Sequence, residues 1–146
     1  MIFCITSCDK FSFQKNTQNK IIDTIVDFSS VDTYPSFKVC DSLIDKQKKA
    51  ACFRKTIHQK IGVKLQEFSF TIKDSIDKFV YVDVLINDKG VFFLDTILSS
   101  EKIRKEIPEL DSLLKVSIQN LPTIFPAHKM GIPVTTKYRL PIKIKL

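Results

Sequence analysis

The sequence predicts an α+β fold: a small antiparallel β-sheet, built from a hairpin and a C-terminal edge strand, with two amphipathic helices packed on it. Three patterns carry that expectation. Apolar residues recur at helical spacing from Asp45 to Ile61, a turn at Asn87-Asp88-Lys89-Gly90 separates two β-branched and aromatic runs, and apolar and polar residues alternate from Val134 to Leu146. With 146 residues, 44% of them hydrophobic and 27% charged, the chain suits one domain with a short tail.

The first eight residues are an apolar run ending in Thr6-Ser7-Cys8, after which the chain turns polar at Asp9-Lys10. Small residues before a cysteine are what a lipoprotein signal peptidase accepts, and the thiol is the nucleophile that carries the diacylglycerol. Residues 1–8 are therefore read as a signal remnant with its lipobox, and Cys8 as the lipidation site. A full signal opens with basic residues and a run of roughly 7 to 15 apolar ones, which this segment lacks. Two readings follow: Met1 is an internal methionine of a longer signal, or the segment is a frayed hydrophobic start. Residues 9–33 read as a polar tether, with Ile21, Ile22, Ile25 and Val26 able to form a short element inside it. With Cys4 cleaved away and Cys8 acylated, Cys40 and Cys52 remain as an even pair, which points to a disulfide. His58 and His128 stand without the spacing of a zinc site, so no metal and no cofactor are expected.

In the helix from Asp45 to Ile61, Ala50, Phe53, Ile57 and Ile61 share one face, Asp41 and Asp45 sit near the positive end of the dipole, and Gly62 reads as the stop. Phe68, Phe70 and Ile72 alternate with polar residues between Glu67 and Lys73, which reads as a strand. Phe79–Ile86 and Val91–Leu98 form the arms of the hairpin, with Gly90 free to take a positive φ. Pro108 suits the first turn of the second helix, whose stripe is Leu110, Leu113, Leu114, Ile118 and Leu121. In the last strand Pro141 lacks an N–H, which places the strand at a sheet edge, and lysines on its polar face deter indiscriminate pairing.

Composition narrows the function classes. The net charge is +7, but lysines occur in every segment rather than in an arginine-rich stripe, so no nucleic-acid partner is expected. No run approaches the roughly 18 apolar residues of a membrane span. No nucleophile elbow, zinc-protease motif or phosphate loop occurs, and the expectation is a binding module, not an enzyme. Asp83 and Asp95 fall inside strand patterns and are expected to face outward.

The order Leu121-Pro122, Phe125-Pro126-Ala127, Gly131-x-Pro133-Val134, Tyr138-x-Leu140-Pro141-Ile142 resembles the C-terminal domain of TonB. Upstream, Tyr34-Pro35 through Cys40, followed by Ala51-Cys52-Phe53, is similar to the entry segment of TonB-like proteins in Bacteroidetes, so the resemblance spans about residues 31–146 and sets a domain at 34–146. It implies a periplasmic module whose partner is an outer-membrane transporter or another envelope protein, and the lipobox reading at Cys8 makes that module lipid-anchored. In the family an extended TonB-box peptide adds a strand beside the closing strand, which maps the candidate site onto Val134, Thr135, Thr136, Lys137, Tyr138, Arg139, Leu140, Ile142 and Lys143. A homodimer through the same edge is a further expectation. A standard TonB also has a transmembrane helix for its ExbB and ExbD motor and a Pro-rich spacer. Neither is written in these residues, so binding without energy transduction is expected. The alternative is a scaffolding envelope lipoprotein with this fold and no transport role.

Overall fold

The computed structural model describes residues 25–146, so Cys8 and most of the expected tether lie outside the described residues. The fold is α+β. A four-stranded sheet has the order β1 (Val26–Asp27), β6 (Thr136–Lys145), β2 (Asp77–Ile86), β3 (Phe92–Leu98), and helices α1 (Lys46–Gln66), α2 (Glu101–Glu106) and α3 (Leu110–Gln119) complete it. A two-stranded hairpin, β4 (Ala127–Lys129) with β5 (Ile132–Val134), lies outside that sheet. The sheet is mixed, because β1 runs parallel to β6 while β2 is antiparallel to both its neighbours.

The helix-period and strand-period patterns meet in one core. Phe53, Ile57 and Ile61 of α1 and Leu110, Leu114 and Ile118 near or on α3 join Val80, Val82, Val84 and Ile86 of β2 and Leu140 of β6. An aromatic cluster closes the end nearest β1: Phe53 lies 5.4 Å from Phe28, 5.6 Å from Phe37 and 5.2 Å from Tyr138, ring centre to ring centre. Offset and edge-on pairs at this separation add to simple area burial.

Several boundaries differ from the pattern reading. Asp45 caps α1 by accepting the Lys48 N–H at 2.9 Å, but the helix runs through Gly62 to Gln66. Glycine's helical penalty of roughly 1 kcal/mol is outweighed because the stripe continues past it in half-buried Leu65. Residues 67–75 are not a strand; among the described residues no neighbour offers them a ladder, and they cross instead as a connector in which Phe70 and Ile72 pack on the core. The short helix α2, which the apolar periodicity does not mark, is capped by Ser100, whose Oγ accepts the Ile103 N–H. The long final strand is divided: Val134 ends β5, and β6 starts at Thr136. Residues 25–33, read as tether, are packed, with Val26 and Asp27 in the sheet and Val31 buried.

Cys40 and Cys52 form a disulfide with Cα atoms 5.8 Å apart, joining the entry segment to α1. Its effect is greatest on the unfolded chain, whose freedom it restricts. Replacing either cysteine by Ser is expected to lower unfolding free energy by about 2–4 kcal/mol. Urea denaturation of the oxidised protein and the variant checks this, and equal midpoints would contradict it.

Candidate functional site

The helices cover one face of the sheet, and among the described residues the other face carries exposed Phe79, Tyr81 and Phe93. Leu146 and Ile76 exchange both backbone hydrogen bonds, at 3.0 and 2.8 Å. In an antiparallel ladder that pattern repeats every second residue. Even-numbered residues of β6 therefore bond to β2, while Arg139, Pro141, Lys143 and Lys145 turn their backbone groups outward. At the other end the Thr135 carbonyl accepts the Val26 N–H at 2.9 Å, as the same parity requires.

Among the described residues, β1 is the strand on the outer side of β6, and it reaches only Thr136 and Lys137. The edge expected along all of 134–145 is thus free only beyond Lys137. Val134 lies in the small hairpin, Thr135 and Thr136 lie under β1, and Tyr138, Leu140 and Ile142 spend their backbone groups on β2. Arg139 and Lys143 are the expected site residues with outward N–H donors beyond β1, and Lys145, outside the expected set, adds a third such position. Pro141 sits where its missing donor costs the ladder nothing.

The side chains on the open face form an ion network. Arg139 donates to Asp83 twice, from Nε to Oδ1 at 2.8 Å and from Nη2 to Oδ2 at 3.1 Å. Lys137 Nζ lies 3.0 Å from Asp95 and 3.6 Å from Asp83. Asp83 does point away from the helices, yet its side chain is only 4% exposed because these two cations cover it. The Arg139 hydrogen bonds, reinforced by both positive charges, hold the Asp83 carboxyl below the usual range despite the opposing effect of burial. The Asp95 carboxylate, more than Asp83, raises Lys137 above the ordinary lysine value. Lys143 approaches exposed Asp77 at 3.5 Å. On the inner face, burial raises Tyr138, which packs into the aromatic cluster.

Around the network, Phe79, Tyr81, Phe93 and Leu98 expose apolar surface, with Phe79 and Tyr81 stacked at 6.3 Å. Among the described residues, the arrangement combines backbone donors without a partner, a preorganised row of charge and aromatic flanks. It has the chemistry of a recognition edge.

Compared with known proteins, the chain matches no family model, no curated protein and no solved structure. The resemblance to TonB accordingly rests on the motif residues themselves.

Proposed function

We propose that this protein is a binding module that captures an extended segment of a partner along the free part of β6, by strand addition. The observation that carries the reading is the outward register of Arg139, Lys143 and Lys145 on a strand with no neighbour there among the described residues. Main-chain hydrogen bonds would supply affinity, and alternate side chains selectivity. Strand β1 offers a precedent within the chain, since it is itself a short extended segment lying on this edge. Together with the TonB-like motif, this favours a TonB-box peptide of an outer-membrane transporter as the partner, and a periplasmic, lipid-anchored setting. Pairing of β6 with its own copy brings Arg139, Lys143 and Lys145 near their like charges, which disfavours the homodimer.

The test exploits parity. Lys143→Pro removes an outward donor and leaves the ladder to β2 intact, as Pro141 already does two residues earlier. Lys143→Ala removes the side chain and its pairing with Asp77 but keeps the donor. Titration with a TonB-box peptide is expected to show the proline variant weakened by about 1–3 kcal/mol. The alanine variant should lose less than about 1 kcal/mol, as befits an exposed ion pair. Circular dichroism must first show both variants folded. Unchanged affinity of Lys143→Pro, or NMR shifts that map away from β6, would sink the proposal.

A further inference from the structure

Although lysines occur throughout the chain, every charged side chain on α1 is basic, from Lys46 to Lys64. Some of these charges have partners. Lys46 donates to the Val31 carbonyl at 2.8 Å, Lys49 approaches Asp41 at 4.0 Å, and Lys64 approaches Glu67 at 3.8 Å. Lys55 and Lys60 have no carboxylate within ion-pair distance among the described residues, although Lys60 lies 6.0 Å from the centre of the Phe37 ring. Both border an open groove of about 710 Å³ between α1 and the end of α3.

The groove has an apolar lining with a cationic border. Val63 of α1 and Leu121 and Pro122 beyond α3 line it, and Val39 stands at the end where Cys52 anchors the disulfide loop. Val39 is 73% and Val63 53% exposed, so apolar carbon here remains in water. Among the described residues, no Asp or Glu lines the groove. The cations are also spaced out. At about 100° per residue around the helix, Lys55 stands on one side of the face formed by Cys52, Thr56, Gln59 and Val63, and Lys60 and Lys64 stand on the other. A single anionic head group meets only one of these flanks, whereas a docked helix with carboxylates on both sides of its apolar stripe meets both.

We infer that this groove docks an amphipathic helix of a partner protein, whose apolar stripe is flanked by acidic residues. The mode is helix-in-groove recognition, with the apolar stripe displacing water from Val39, Val63 and Leu121 and the rim lysines selecting charge. No residue of β6 lines the groove, so the inference goes beyond the strand-addition reading and stands or falls separately from it.

The test is an NMR titration of the full chain with a synthetic peptide of about four helical turns, carrying leucines on one face and glutamates beside them. Saturable shifts at Val63 and Leu121, weakening as salt is raised, are the expected result. The double variant Lys55→Glu, Lys60→Glu, whose side chains are exposed, should fold normally and bind at least about tenfold more weakly. The same peptide with lysines in place of glutamates should fail to bind. The inference is overturned if no saturable shifts appear at the groove, or if the lysine peptide binds equally well. It is likewise overturned if palmitate saturates these signals while the acidic peptide leaves them unmoved.

Discussion

Truncating Phe53 to Ala is expected to cost about 3–5 kcal/mol of unfolding free energy, the range for removing a buried aromatic ring. Phe53 is fully buried on α1, and its ring meets Phe28 and Phe37 of the entry segment and Tyr138 of β6. One side chain thus connects the segment before α1, the helix itself and the strand proposed to bind a partner. The loss has two parts: the transfer energy of the ring, and the cavity left where three other rings are held by their own packing. The disulfide close by keeps Cys40 and Cys52 in place and limits how far the site can collapse. Val63→Ala, on the exposed side of the same helix, is the control and should change stability by less than about 0.5 kcal/mol. Urea titrations of both variants check the pair. A Phe53→Ala loss below about 1 kcal/mol would show that the aromatic cluster does not anchor the domain as described.

Gly90→Ala is expected to cost about 2–5 kcal/mol, combining the penalty of a left-handed residue with that of overpacking. Gly90 has φ +80°, and a Cβ placed there would lie 1.7 Å from the Ile124 carbonyl oxygen. That obstacle is backbone, so no rotamer change relieves it. The contact is also a hydrogen bond, because the Ile124 N–H donates to the Gly90 carbonyl at 3.0 Å. The next residue, Phe125, exchanges hydrogen bonds with Ser36 at 3.0 Å in both directions. A methyl group at 90 therefore pushes on the segment that ties the hairpin turn to the entry segment at Ser36. Gly131 supplies the comparison: its φ is +75°, but nothing lies within 4 Å of its Cβ position. Gly131→Ala should cost only the conformational part, about 1–2 kcal/mol. Thermal or urea unfolding of the two variants separates clash from backbone preference, and equal losses would contradict the close approach.

Much of the fold is written in local patterns. The spacing of Phe53, Ile57 and Ile61 predicts the buried face of α1, and Asn87 with Gly90 predicts the hairpin turn, in which Asn87 Oδ1 accepts from Lys89 and Val91. The same patterns mislead where an alternation has no neighbour to pair with, as at Phe68, Phe70 and Ile72. Gly62 shows the converse, since tertiary packing of the residues around it overrides a local stop.

The candidate site divides in the same way. By itself the sequence determined the α+β class, the alternating faces of β6 and the outward place of Pro141, because each follows from periodicity or the chemistry of one residue. The Cys40–Cys52 pairing that it leads one to expect is decided by the approach of the two Cα atoms to 5.8 Å. Only the tertiary structure decided that β1 covers Thr136 and Lys137, that Arg139 and Lys137 enclose Asp83, and that α1 and α3 leave a lysine-bordered groove. Those features depend on which distant segments meet, and at what register. A residue's periodicity specifies the face it turns to the core, but its partner is chosen by the competition of the whole chain for buried surface and hydrogen bonds.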